Sequence, residues 1–438
     1  MDFWWIDWQQ GTQTGLEGLD PLWALNHYHY LDSAYRNLEG LILSRYAGIG
    51  SHRYPVGFSG DIHMDWEFLD YMPYFTATAA NVGYGWWSHD IGGHHRGERD
   101  EELYLRWLQF GVFSPINRIH CCPAVVTSKE PWTLSAGARA LAGQWFRMRH
   151  KLIPYLYTAS WNNTLFGEPL IRPMYYHWPE EDDAYKADHQ YLFGDLLVAP
   201  ITEHSDELGI ASKKVWLPEG NWTDIFSGDC YSGGRWITVY RDSGSMPVFA
   251  HAGSILPLDA QPDNACNVPE KFDLWVFAGD GKYTLYEESA PEIIQFVAQM
   301  ETNTVQHLTI SDQPRNRKYH VFFKNVLDGN VELYVNGKKG EVTIKRNRCL
   351  QAEFILNKGD TAELIIQWET KDIEEEYRER ILKRFIQIPQ DNWYKEKQWE
   401  KTDKFSSAKD WLSWIESLDL TKTGKGILTE CVYAKFAD

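Results

Sequence analysis

The sequence predicts an α/β barrel of parallel strands followed by two all-β regions and a charged helical tail. Three observations carry that prediction. Residues 1–180 repeat a short apolar run, a polar or glycine-rich loop and a helix-length segment, the order of parallel strands joined by helices. Beyond residue 180 the pattern changes to short β-rich runs broken by Gly, Asn and Asp. After residue 369 the chain becomes charge-rich, with apolar residues at every fourth position.

The first strand is Phe3-Trp4-Trp5-Ile6, four apolar residues in a row, as suits a strand buried on both faces. It ends on Asp7, and an ionisable group at the end of a barrel strand is where such folds place their chemistry. Asp7 can equally cap the turn into Gln9-Gln10-Gly11. Residues 19–41 carry Leu22, Leu25, His29, Tyr35, Leu38 and Leu41 at near-helical spacing, with Asp20-Pro21 as cap and first-turn proline. The short run 41–43 then leads into Ser44-Arg45. A glycine-dense, loop-like stretch follows and ends in Phe58-Ser59-Gly60-Asp61. Residues 66–80 read as a helix, 82–87 as a strand ending in Ser88-His89-Asp90-Ile91-Gly92-Gly93, 100–111 as a helix, and 112–120 as a closing strand. The loops at the strand ends present Asp7, Arg45, Asp61, Asp90 and His120.

Composition bounds the function. The 438 residues exceed one ordinary domain, and roughly 100–200 residues per domain predicts two to four. Hydrophobic residues make up 43% and aromatics 15%, enough for packed cores, and the 21 Trp and 24 Tyr suit stacking on sugar faces as well as core packing. A net charge of −18 argues against nucleic acid and anionic membranes as partners. No apolar run approaches the ~20 residues of a membrane span. The six cysteines, Cys121, Cys122, Cys230, Cys266, Cys349 and Cys431, show no CxxC spacing for zinc. Asn-x-Thr sequons at Asn162 and Asn221 leave the compartment open.

Two carboxylates facing each other hydrolyse a glycosidic bond when one is ionised as nucleophile and the other protonated as acid, at roughly 5–5.5 Å in retaining enzymes. Asp7, among Trp4, Trp5 and Trp8, and Asp61, after a flexible Gly60, form such a candidate pair. Arg45 and His120 are suitable donors to sugar hydroxyls or to a carboxylate.

The order of motifs resembles glycoside hydrolase family 31, the retaining α-glycosidases that include α-glucosidases and α-xylosidases. Trp5-Ile6-Asp7 resembles the nucleophile strand, and Ser44-Arg45 through Gly60-Asp61 the acid/base segment. Asp90-Ile91-Gly92-Gly93, the run 101–107 and Arg118-Ile119-His120 follow in family order, as do Leu152-Ile153-Pro154-Tyr155, Arg172-Pro173, the run 193–200 and Ala252-Gly253-Ser254-Ile255-Leu256-Pro257. The resemblance covers about residues 1–290. It implies Asp7 as nucleophile and Asp61 as acid/base in a double displacement, which requires Asp61 to hold its proton where Asp7 has lost its own. It also implies Arg45, Asp90 and His120 around the first sugar; Trp5, Trp8 and Phe58 are expected as further substrate-binding residues, and no cofactor or metal is expected.

Departures from the family pattern bear on the sugar. Family α-glucosidases usually follow the nucleophile with Met-Asn-Glu, whereas Trp8-Gln9-Gln10 stands here, and Phe58 and Ile62 flank the acid/base where Trp and Asn are common. An α-galactoside or α-N-acetylgalactosaminide is therefore the alternative to an α-glucoside or α-xyloside, and a non-catalytic carbohydrate-binding fragment is the alternative to an enzyme. The family barrel should begin three strands earlier, after a β-sandwich. Residues 1–187 are thus expected to form about strands 4–8 of a (β/α)8 TIM barrel, and the chain to be a truncated product. Its open sheet edges would invite the missing N-terminal segment or a second copy, and activity is expected to need that segment. Residues 188–268 and 269–368 are expected to be proximal and distal β-sandwich domains in support, and 369–438 a helical extension. The cluster His89, Asp90, His94 and His95 lacks the spacing of a metal site.

Overall fold

The computed structural model describes residues 3–37, 39–45, 48–262, 268–287, 293–369 and 373–434. Leu38 and Cys266 lie outside the described residues, as do the side chains of Ile373 and Tyr377, the first two of the apolar residues spaced by four in the tail. The chain divides into two compact units, one formed by Met1–Arg149 and Ala159–His204, the other by His150–Thr158 and Ser205–Asp438.

The first unit is built on a four-stranded sheet, in the order β1 (Trp4–Ile6), β2 (Ile42–Arg45), β3 (Gly57–Phe58) and then Trp87–Ser88. Every pairing in it is parallel, so all four strands present their C-terminal ends on one side. A second parallel pair joins β4 (His63–Met64) to β6 (His95–Gly97), Trp87–Ser88 being β5. Aspartates start the helices between them. Asp20 accepts from the Leu22 amide ahead of α1 (Pro21–Asn37), Asp65 from Phe68 N ahead of α2 (Trp66–Thr78), and Asp100 from Glu102 N ahead of α3 (Glu101–Val112). From Leu103 to Val112 every residue of α3 is buried. Helices α4 (Ala136–Lys151), α5 (Ile153–Phe166) and α6 (Asp182–Lys186) follow.

Several expectations are corrected. The opening strand is not buried on both faces: Ile6 is buried, but Trp5 is 50% exposed. Strand alternation sends Trp4 the other way, where its indole donates to Asp32 at 2.9 Å and edges onto His29. Trp4 therefore does not wall Asp7. The loop-like stretch contains β3, a strand too short to read from pattern, and at Gly57 a Cβ would overlap the rings of Tyr84 and Trp87. The run 82–87 is mostly not strand. Ala79–Val82 is a 3-10 turn closed by Gly83 at φ +90°, and Tyr84 and Trp87 serve as core rings packed with Phe75. In 112–120 only Ile119 keeps a strand contact, a parallel bridge to Ile91. Arg149 takes the carbonyls of Val112, Ser114 and Pro115 at 2.9, 2.6 and 2.7 Å, occupying acceptors that a ladder would need.

In the second unit a five-stranded sheet runs Ile255–Asp259, Lys271–Val276, Arg317–Phe323, Cys349–Leu356, Thr343–Asn347. A six-stranded one includes the two-residue hairpin at Asn336-Gly337, both with positive φ. Among the described residues the tail forms four α-helices rather than the two read from its periodicity: α7 (Ile373–Gln387), α8 (Asn392–Trp399), α9 (Ala408–Ser417) and α10 (Lys422–Tyr433). Ile381 and Phe385 of α7 share a core with Trp411, Trp414, Leu428 and Val432. No helix among the described residues is long and apolar enough to cross a membrane.

Candidate active site

The parallel register assembles the site. Ile6 pairs with Ser44, Arg45 with Phe58, and Phe58 with Ser88, so the residues just beyond each strand become neighbours. Asp7, Arg45, Asp61 and Asp90 arrive from four different strand ends, and the Ile91–Ile119 bridge brings Arg118 and His120 beside them.

Arg45 ties the two candidate catalytic carboxylates together. Its Nε donates to Asp7 Oδ1 at 2.5 Å and its Nη2 to Asp61 Oδ1 at 3.0 Å. Both aspartates stay partly open to solvent. Asp90 is fully buried and its Oδ1 accepts from Arg118. Burial pushes the Asp90 carboxyl up to about 6; Arg118 opposes the shift and the charge of Asp61 adds to it. Phe58 lies under both guanidinium groups, 5.7 Å from Arg45 and 5.1 Å from Arg118, and Arg118 also stands 5.7 Å over Trp5. Trp5 meets His120 edge-on at 5.5 Å.

Of the residues expected from sequence, Asp7, Asp61, Trp5, Arg45, Phe58, Asp90 and His120 are brought together. Trp8 is 63% exposed, and no contact among the described residues ties it to the set. Three further residues belong here. His94 lies 3.8 Å from Asp61 and 3.9 Å from Asp90 and stacks on His120 at 4.7 Å. Arg118 donates to Asp90 Oδ1. Lys129 donates to the carbonyls of Gly93 and His120 and so pins two loops. Burial lowers its ammonium to about 8 and the His120 imidazole to about 4, leaving His120 neutral near pH 7. Arg118 stood in the quoted run Arg118-Ile119-His120 and His94 followed Gly93, so their positions were visible; Lys129 carried no signal.

Two trios, Asp61 with His94 and His95 and Asp90 with His94 and His120, offer ligand atoms within 4.8 Å of one another. Arg45, Arg118 and Lys129 crowd the same carboxylates with positive charge, so these acids are neutralised by side chains. His89, grouped with Asp90 in the sequence, points away into the core. Trp107 Nε1 donates to His89 Nδ1 at 3.3 Å, His89 Nε2 pairs with Ser114 Oγ at 3.0 Å, and the ring stacks on Phe110. Burial, reinforced by Arg118, lowers it to about 3.

Comparison with known proteins supplies the family. Residues 2–159 match the glycosyl hydrolases family 31 TIM-barrel domain, and residues 167–256 the family 31 C-terminal domain. An alpha-xylosidase of Saccharolobus solfataricus is 31% identical over 261 residues, covering 58% of this chain and 35% of that protein. Alpha-glucosidase 2 of Bacillus thermoamyloliquefaciens is 27% identical over 251 residues, covering 56% and 31%. The chain thus spans about a third of the length of these curated relatives. Among solved structures, a cycloalternan-forming enzyme from Listeria monocytogenes superposes with a TM-score of 0.74 at 22% identity, over 84% of this chain and 38% of that one. A Flavobacterium johnsoniae family 31 dextranase gives 0.71 at 22% identity, over 84% and 53%. With both domain descriptions matched in order over residues 2–256, the chain belongs to glycosyl hydrolase family 31.

Proposed function

We propose that this site hydrolyses terminal α-linked sugars, an α-xyloside or α-glucoside, by double displacement with retention. The observation that carries the reading is the shared Arg45 guanidinium, which holds Asp7 and Asp61 from separate strand ends at 2.5 and 3.0 Å. That tether is compatible with the roughly 5–5.5 Å carboxyl spacing of retaining enzymes. Asp7 attacks the anomeric carbon while Asp61 protonates the departing oxygen; Asp61 then deprotonates the water that releases the glycosyl-enzyme. Arg45 stabilises Asp7 as an anion. Arg118 and Asp90, with neutral His120, supply donors and acceptors to sugar hydroxyls, and Trp5 with Phe58 shapes the apolar wall. The strand order fits the C-terminal portion of a barrel, with the β-rich regions 188–268 and 269–368 as its support.

The alpha-xylosidase and alpha-glucosidase relatives favour these two sugars over an α-galactoside. A panel of nitrophenyl α-glycosides, with the anomer released followed by proton NMR, tests the reading on protein containing residues 1–438. Turnover of the α-xyloside or α-glucoside with the α-anomer released first is expected. Release of the β-anomer would exclude Asp7 as a nucleophile.

A further inference from the structure

His94 is held from two sides. Its amide donates to Ile62 O at 2.7 Å, and its carbonyl accepts from Cys122 N at 2.9 Å. The ring, largely buried, is fixed between the loops that carry Asp61, Asp90 and His120. Its two nitrogens face two acids: Nε2 lies 3.8 Å from Asp61 Oδ2 and Nδ1 lies 3.9 Å from Asp90 Oδ2. The other oxygen of each acid is taken by an arginine, Asp61 Oδ1 by Arg45 and Asp90 Oδ1 by Arg118. Asp90 Oδ2 and His94 Nδ1 are both buried without a hydrogen-bond partner among the described residues. One imidazole therefore faces the unclaimed oxygens of both carboxyls.

We propose that His94 is a positioning residue that links Asp61 to Asp90: its Nε2–H donates to the free Asp61 oxygen after Asp61 has given up its proton, while Nδ1 accepts the proton that Asp90 keeps. The inference rests on Asp61 being the acid/base. Both gaps exceed a hydrogen bond by about 1 Å, and catalytic hydrogen bonds are often long before substrate binds and tighten in the complex. The protonation states suit the arrangement. Burial raises Asp90 to about 6, and burial lowers His94 against the pull of Asp61, so both shifts favour a protonated carboxyl beside a neutral ring. The charged groups facing the ring are Asp61, Asp90 and Asp7 on one sign and Lys129 on the other, with His95 and His120 as titratable neighbours.

A donor aimed at ionised Asp61 favours that form, so its removal should make Asp61 hold its proton to higher pH. In His94→Phe, which keeps a ring against His120, the alkaline limb of the kcat/KM profile should move up by roughly half to one pH unit. His94→Gln retains an N–H donor and should move it less. A His94→Phe profile that superimposes on the native one overturns the link. A second measurement does not depend on turnover. In protein labelled with carbon-13 at the histidine Cε1, the His94 signal is assigned by its loss in His94→Gln. Its titration midpoint should fall in Asp61→Asn, because a neighbouring anion that favours the imidazolium is gone, and should also shift in Asp90→Asn. An unmoved midpoint in both variants overturns the link whatever the activity. A midpoint that moves in protein that cleaves no α-glycoside supports the link while removing the glycosidase reading.

Discussion

Arg45 and Arg241 each hold two carboxylates on one guanidinium, Arg45 between Asp7 and Asp61, Arg241 between Asp224 and Glu430, and their surroundings differ throughout. Arg241 reaches both partners at 2.7 Å and all three groups are buried. Every acceptor there is used. Asp224 Oδ1 takes the amides of Phe226 and Ser227, and Glu430 takes the Tyr231 hydroxyl and the Tyr240 amide. Asp7 and Asp61 take their hydrogen bonds from Arg45 and remain partly exposed. The same three charges thus serve as a closed clamp when every lone pair is matched, fastening α10 to the strand Arg235–Arg241, and as an open, reactive pair when they are not.

The largest effect that would sharpen this contrast is on catalysis. Asp7→Ala should lower kcat by at least roughly 10³-fold on the α-glycoside substrate, read from initial rates, as expected when a covalent nucleophile is removed. Next comes the clamp: Arg241→Ala strands Asp224 and Glu430 without their cation and should cost about 3–5 kcal/mol in urea unfolding. Near-native unfolding of that variant would break the comparison.

A third effect lies behind the site. His89 titrates at about 3 in the folded protein against an ordinary 6.5, so the folded state binds fewer protons within that window. Its contribution is complete above about pH 6.5 and is lost as pH falls toward 3, by up to a few kcal/mol. Asp90, raised to about 6 from 3.8, works oppositely and removes stability as pH rises through that interval. His89→Gln should therefore flatten the acid loss of Tm, and Asp90→Asn should flatten the decline toward neutral pH. The smallest change is expected for Arg45→Ala, about 0–1 kcal/mol in stability because its pairs are partly solvated, together with a clear loss of activity. A large stability loss there would make Arg45 a second clamp.

Much of the site was legible because parallel strands bring their ends together without further instruction. Asp7 and Arg45 each stand at the end of a short apolar run that is a strand, so reading those strands was enough to place them, whereas Asp61 and Asp90 came from the order of motifs. Where strands were misread, the reason is local. Residues 82–87 are apolar because Tyr84 and Trp87 fill a core cluster, and apolarity alone does not distinguish that from a ladder. Gly57–Phe58 is too short to show a period. The orientation of Trp4 follows from two-residue alternation, which a run of four apolar residues conceals. His94, Arg118 and Lys129 acquire their contacts only when the loops close over them, and no spacing in the chain encodes those distances. Glu430 and Arg241 are 189 residues apart and meet only because α10 returns to the β-rich region.

The division of the chain bears on how it is made. Residues His150–Thr158 belong to the second unit although they precede the last stretch of the first. Lys151 pairs there with Asp273 at 2.9 Å, and Thr158 accepts from the Tyr286 amide at 3.1 Å. During synthesis the first unit is complete only when His204 has been added, and Lys151 and Thr158 meet Asp273 and Tyr286 more than a hundred positions later. A cut after His204 leaves the first unit whole but strips the second of residues 150–158, so the second unit cannot be produced from residues 205–438 alone.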